Sequence, residues 1–186
     1  MEALEQKVKE DGVVIDEKIL KVDGFLNHQI DAKLMYEVGQ TFYKQFKGKG
    51  ITKILTIEAS GIAPAIMAAL HFDVPCLFAK KAKPSTLKDG FYSTDIHSFT
   101  KNKTSTVIVS DKVLIIDDFL ANGDASLGLY DIAQQAKAET VGIGIVVEKS
   151  FQDGRQRLEE AGLTVSSLCK VASLAGNKVT LLGEDE

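Results

Sequence analysis

From Asp31 onward, apolar side chains at Leu34, Val38, Phe42 and Phe46 recur every four residues. That spacing predicts an amphipathic helix with Asp31 as its N-cap and with Gly48 and Gly50 closing it. Residues 51–57 then switch to a β-rich apolar run, and similar runs follow at 74–79, 113–116 and 141–147. Between the runs, residues 61–72, 124–136 and 152–161 read as helices. Pro64 is tolerated because it falls in the first turn of its helix. Leu129, Ile132, Ala133 and Ala136 share one face of the next. Late strands are predicted at 165–171 and 179–182, and a short amphipathic helix through Leu4 and Val8 at 2–10. Apolar strands alternating with helices predict the α/β class: a Rossmann-like central parallel sheet flanked by helices, with right-handed crossovers. The first thirty residues and the C-terminal tail fall outside the alternation and are expected to cap the strand ends. Residues 80–111 break it too, being polar, with Pro84, Gly90 and only short β-prone pieces at 96–100 and 106–109. Insertions of this kind usually carry function.

The third strand leads into the candidate chemistry. Val113-Leu114-Ile115-Ile116 runs into Asp117-Asp118, and Phe119-Leu120 leads on to Ala121-Asn122-Gly123-Asp124-Ala125. Ligands of open α/β sheets sit just past the carboxyl ends of the strands. Two adjacent acids there can accept hydrogen bonds from vicinal sugar hydroxyls. The small-residue turn behind them offers backbone N–H groups at a helix start, which suits a phosphate. Taken singly, the pair reads equally as a solvated acidic dipeptide and the turn as a plain helix entry. Their place between a buried strand and a helix selects the ligand-binding reading. Glu58-Ala59-Ser60-Gly61 repeats the strand–turn–helix arrangement and offers a second anion site, although any β–α turn looks similar. A Gly-Lys-Ser/Thr phosphate loop is absent.

The run 113–125 resembles the phosphoribosyl-pyrophosphate (PRPP) motif of the type I phosphoribosyltransferases. Leu20-Lys21-Val22-Asp23 with Phe25-Leu26-Asn27-His28-Gln29-Ile30-Asp31, then Thr56-Ile57-Glu58-Ala59-Ser60-Gly61-Ile62-Ala63-Pro64, then Glu148-Lys149-Ser150-Phe151 extend the resemblance over nearly the whole chain. They point to the purine members of bacteria, and among these to the ones that take xanthine. The resemblance implies that Asp117 and Asp118 are catalytic, holding the ribose hydroxyls directly or through a metal-bound water and stabilising positive charge on the ring. It implies that Ala121, Asn122, Gly123, Asp124 and Ala125 cradle the 5′-phosphate. Ala59, Ser60 and Gly61, with Lys80 and Lys81, would meet the pyrophosphate. Leu20 would pack against the base and Asn27 would lie near its 2-position. Lys149 would face the 6-oxo group and N7, and Phe151 would cover the ring.

Departures from the family pattern shift where the grip falls. The family often has Thr in the phosphate cradle, Ser at position 59 and Arg at position 80. Here the cradle must rest on backbone N–H groups and Asn122, and Lys80 offers a point charge where Arg would offer a fork. Lys149, a donor only, would favour an oxo-purine over the amino group of adenine, and the Asn27 amide can donate to a 2-oxo group. Bland readings stand beside each: surface lysines at 80 and 81, a strand-end lysine and a core phenylalanine at 149 and 151, a turn cap at Asn27. His28 reads as structural. By resemblance the terminal cap is the family's hood, built from residues 1–30 and the tail. The stretch 82–112 would be a mobile flap. It reads several residues short near Ser110 and Asp111, through a short flap or a piece absent from the sequence given. A homodimer and a requirement for Mg²⁺, held through pyrophosphate and water with no direct protein ligand, are further implications.

Composition narrows the function classes. At 186 residues, 45% apolar and 26% charged, the chain is expected to be one domain with a sizeable core. A net charge of −4 argues against a nucleic-acid partner, so a polyanionic ligand must be met by local donors. No apolar run has the length of a membrane span, and the charged N-terminus does not read as a secretory signal. A cytoplasmic location follows as an expectation. Cys76 and Cys169 have no metal spacing and are expected to be buried thiols. His28, His71 and His97 lack ligand spacing as well. The expected reaction joins xanthine to PRPP, giving xanthosine 5′-monophosphate and pyrophosphate without a covalent intermediate. Rivals are an adenine, or a guanine and hypoxanthine, phosphoribosyltransferase. Another is a non-catalytic PRPP-binding regulator, for whose DNA-binding domain the chain has no room. The last is a nucleotide-binding protein of other purpose.

Overall fold

The computed structural model describes residues 1–80 and 111–183. Helix α1 (Glu2–Asp11) precedes a hairpin of β1 (Val13–Ile15) and β2 (Ile19–Lys21), and a π-helical turn at Asp23–Asn27 leads to α2 (Ala32–Phe46). Then come β3 (Lys53–Ile57), α3 (Ile62–Phe72), β4 (Cys76–Ala79), β5 (Lys112–Leu120), α4 (Asp124–Gln135), β6 (Glu139–Lys149), α5 (Gly154–Glu160), β7 (Val165–Ser173) and β8 (Thr180–Leu181). The main sheet has the order β4-β3-β5-β6-β7-β8 and is parallel up to β7. Thus the α/β class and the parallel sheet flanked by helices are as predicted, with an antiparallel β8 added at the edge.

The Asp31 carboxylate accepts from Leu34 N–H at 3.0 Å, the expected cap of α2. Leu34, Val38, Phe42 and Phe46 are all buried on its inner face. With α3 this helix covers one side of the sheet, in a cluster with Ile54, Leu114, Ile116 and Val146. Leu129, Ile132 and Ala133 of α4 and Leu158 of α5 pack on the other side against Leu55, Ile115, Ile143 and Ile145. The alternation along β3, β5 and β6 divides their side chains between the two layers. A glycine pair seats α2: a Cβ at Gly144 would lie 2.7 Å from the Phe42 ring, and one at Gly142 would lie 2.7 Å from the Phe46 ring. The rings fill space that any larger residue on β6 would occupy. Truncating such a buried phenylalanine to Ala costs about 3–5 kcal/mol.

Three expectations are corrected. The third strand does not stop at Ile116 but runs to Leu120, because β6 extends beside it and supplies ladder partners as far as Leu120↔Glu148. Cys76 is half-buried rather than buried. It lies on β4, at the sheet edge among the described residues. Burial still pushes its thiol up to about 11, and Cys169 is buried as expected. The helix expected over 152–161 is shorter, at Gly154–Glu160. Most of the segment expected as a flap, together with Lys81, lies outside the described residues, and Lys112 already belongs to β5.

The N-terminal hairpin meets the C-terminal segment directly. Glu17 N–H donates to Asn177 Oδ1 at 3.0 Å, and Gly176 N–H donates to Glu17 Oε1 at 2.8 Å.

Candidate functional site

Asp117 and Asp118 lie within the last residues of β5. Their place within the strand separates their environments. Asp117 is 3% exposed, and its Oδ1 accepts from Asp118 N–H at 3.0 Å. Asp118 is half-buried, so its carboxylate is the more accessible of the two.

The turn after β3 converges on this pair. Gly61 precedes α3, and a Cβ there would lie 3.0 Å from Asp117 Oδ1 and 2.3 Å from Thr56 Oγ1. Only a glycine lets the start of α3 press this closely onto the end of β5. Thr56 is fully buried, and its hydroxyl has no hydrogen-bond partner among the described residues. The Glu58–Ala59 peptide is cis. Ala59 is exposed, while Ser60 is half-buried. Lys80, at the end of β4, holds its Nζ 5.8 Å from the Phe78 ring centroid.

Past β5, the segment Ala121–Gly123 turns into α4. Gly123 has φ +85, the left-handed region that favours glycine. The first turn of α4 has no side-chain cap, nor has that of α3, in contrast with α2. Ile62 N–H donates to the Ala59 carbonyl at 3.2 Å and Asp124 N–H is engaged within its own turn, so anion binding at these two helix starts rests on their remaining N–H groups. Within the turn, Asn122 Nδ2 donates to Asp124 Oδ2 at 2.8 Å, and Asn122 Oδ1 accepts a longer 3.3 Å bond from Asp124 N–H.

Helix α5 braces the same turn. Gly154 N–H donates to the Ala121 carbonyl at 3.1 Å, and a Cβ at Gly154 would lie 2.3 Å from that oxygen. Arg157 Nη1 donates to Asp124 Oδ1 at 2.8 Å and also to the Asn122 carbonyl.

The end of β6 forms the third side. Lys149 Nζ donates to the Lys18 carbonyl in the β1–β2 turn at 3.1 Å and stands 5.9 Å from the Phe119 ring centroid. Burial lowers its pKa by stripping water from the ammonium. Phe151 is 45% exposed at the surface beyond it. Leu20 sits two residues after Lys18 with its side chain in the core, and Asn27 is exposed at the end of the π-helical turn. The strand end and the hairpin that carries Leu20 are thus brought together.

Sequence reasoning missed the support beneath Lys149. Its neighbour Glu148 is 2% exposed. The Glu148 carboxylate accepts from Arg155 Nε at 2.9 Å, Arg155 Nη2 at 2.6 Å, Ser150 Oγ at 2.9 Å and the Ser167 hydroxyl. Burial alone would raise the Glu148 pKa, but the bonds from Arg155, Ser167 and Ser150 outweigh it and hold it low. The available signal was a carboxylate one residue before the end of a strand, followed by two arginines on the next helix. Arg155 faces Glu148 and Glu159, whereas Arg157 faces Asp124.

No family model matches the chain. It is 86% identical, over an alignment of 192 positions covering all of both chains, to xanthine phosphoribosyltransferase of Staphylococcus aureus strain Newman. The curated proteins of that name from strains COL and MW2 match equally. Because the alignment is longer than the 186 residues of this chain, it contains positions with no residue here. Among solved structures, adenine phosphoribosyltransferase from Rhodothermus marinus is similar with a TM-score of 0.71 at 21% identity, covering 92% of this chain and all of that one. The adenine phosphoribosyltransferase of Trypanosoma brucei, in complex with AMP, pyrophosphate and ribose-5-phosphate, has a TM-score of 0.74 at 16% identity, covering 90% of this chain and 79% of that one. At such identities these structures establish the fold alone.

Proposed function

The chain belongs to the xanthine phosphoribosyltransferases, and we propose that the strand ends of β3, β5 and β6 form its active site for joining xanthine to PRPP. The products are xanthosine 5′-monophosphate and pyrophosphate. Convergence of the Gly61 turn on Asp117 carries the assignment, since it puts a helix start beside a buried carboxylate. Asp118, the accessible acid, takes the ribose hydroxyls, and Asp117 holds the Asp118 backbone in place. The start of α4 takes the 5′-phosphate through Ala121, Asn122, Gly123, Asp124 and Ala125. The turn Ala59–Gly61, with Lys80 and Lys81, takes the pyrophosphate.

The base then lies between the hairpin and the end of β6. Lys149 would exchange its Lys18 carbonyl for the 6-oxo group and N7 of the base. Asn27 selects the 2-oxo group, with Leu20 and Phe151 packing around the ring. Residues 1–30 and the C-terminal segment act as a hood over this space, shielding it from water during transfer. Catalysis comes from positioning and charge stabilisation, and no covalent intermediate is required.

Among the described residues, no three His, Cys, Asp or Glu side chains cluster as a metal cage. The half-buried Asp118 beside Asp117 fits a cation held mainly by phosphate oxygens and water, the usual manner for Mg²⁺. When bound, Mg²⁺ neutralises charge on the departing pyrophosphate. No described helix is long and apolar enough to cross a membrane, and we take the enzyme to be cytoplasmic. A homodimer is proposed as well, supported by exposed Tyr36 and Tyr43 on α2 and Ile66 and Leu70 on α3.

Steady-state turnover with PRPP, Mg²⁺ and each of xanthine, guanine, hypoxanthine and adenine tests the assignment. Xanthine should give the highest kcat/KM. A higher value with adenine or guanine would displace the proposed base pocket.

A further inference from the structure

Asp124 poses an electrostatic problem. It opens α4, at the turn where the phosphate cradle places a doubly charged phosphate. A carboxylate in the first turn normally complements the helix dipole, but here it competes with the ligand for the same positive end. Both of its oxygens are engaged. Oδ1 accepts from Arg157 Nη1 at 2.8 Å and Oδ2 from Asn122 Nδ2 at 2.8 Å. The Asp124 side chain is 16% exposed and that of Arg157 37%, so the pair is partly shielded from water. Arg157 also donates to the Asn122 carbonyl, which fixes the turn from behind.

We propose that Arg157 is a positioning residue of the 5′-phosphate cradle: it masks the charge of Asp124 and holds that carboxylate away from the phosphate. This inference rests on assigning the 5′-phosphate to the start of α4. Arg157 does not touch the substrate and acts through Asp124 and the turn. It also links the cradle to α5, whose Arg155 anchors Glu148 beside the base-facing Lys149. One short helix therefore braces both ends of the nucleotide product.

The test is a double-mutant cycle of Arg157→Met and Asp124→Asn, with Arg157→Lys as the conservative variant. Four readouts are needed: kcat, KM for PRPP, and inhibition constants for ribose 5-phosphate and for pyrophosphate. Unmasking a carboxylate beside the phosphate should raise KM for PRPP roughly tenfold in Arg157→Met, with kcat changed far less. Inhibition by ribose 5-phosphate should weaken in parallel, while inhibition by pyrophosphate should hold. Adding Asp124→Asn should recover most of the loss, and Arg157→Lys should retain most of the affinity. A double variant as impaired as Arg157→Met, or equal losses for ribose 5-phosphate and pyrophosphate, would overturn the masking role in favour of a packing strut. If ribose 5-phosphate does not compete with PRPP in the wild type, the phosphate assignment itself falls and the inference falls with it. If it competes and Arg157→Met leaves it unchanged, the inference alone fails.

Discussion

Lys149 and Lys18 are joined by a 3.1 Å hydrogen bond from the ammonium at the end of β6 to a carbonyl in the N-terminal hairpin turn. The bond holds the lysine in a half-buried position that disfavours its charge. The lowered pKa fixes the sign of a stability effect. The unfolded chain keeps this proton up to pH values at which the folded chain has already released it. Wild type should therefore gain stability relative to Lys149→Met as pH rises from neutrality through the folded pKa towards the ordinary lysine value of 10.5. Urea unfolding of both proteins across that range tests this. Parallel curves would show that Lys149 titrates as a free surface lysine.

Glu148 should behave in the opposite sense. Its lowered pKa contributes stability that is present above the ordinary carboxylate value of 4.5 and lost as pH falls through the folded pKa. Glu148→Gln should flatten the acid limb of the stability curve. Arg155→Met, which leaves the buried carboxylate unpaired, should destabilise by about 3 kcal/mol. Stability unchanged in Arg155→Met would exclude a paired, buried Glu148.

Gly61 and Thr56 should be coupled. A methyl group at Gly61 would press on the Thr56 hydroxyl and on Asp117, so Gly61→Ala should lower stability by about 1–3 kcal/mol. Adding Thr56→Ala removes the nearest atom and should return part of the loss. Thr56→Val alone exchanges a buried hydroxyl that has no partner among the described residues for a methyl, and should stabilise the ligand-free protein by about 1 kcal/mol. Strict additivity of Gly61→Ala and Thr56→Ala would contradict the contact.

Asp117→Asn and Asp118→Asn should each lower kcat/KM by roughly tenfold to a hundredfold, the worth of a charge-assisted hydrogen bond of about 1.5–3 kcal/mol. Melting temperature should fall more for buried Asp117 than for Asp118. Turnover should also stop in excess EDTA and return with Mg²⁺. Wild-type kinetics in the double variant, or full activity with EDTA, would remove the ribose and cation assignments.

Local patterns in the chain foretold much of this arrangement. The i+4 spacing from Leu34 to Phe46 and the apolar runs of β3, β5 and β6 fall where period and burial agree, and the Asp31 cap is a contact between near neighbours. The sequence pattern points to a stop at Ile116 because acids usually leave a sheet, and only the partner strand β6 shows that the ladder continues past Asp117. Arg157 with Asp124, and Arg155 with Glu148, meet through the α5 crossover. No local period encodes such pairings. Gly61 stood in a recognisable turn, but its reason for being glycine lies in Thr56 and Asp117, which only the folded chain brings near.

The two rings on α2 act as keys in the notches that Gly142 and Gly144 cut into β6. Keyed this way, α2 cannot slide along its axis without lifting out of the sheet. The hairpin that precedes it is thereby indexed to the end of the same strand. The width of the gap between Lys18 and Lys149 becomes a fixed gauge, machined into the scaffold well away from any ligand. Exchanging hairpins between related enzymes should accordingly transfer base choice only when α2 and its two glycine notches travel with them.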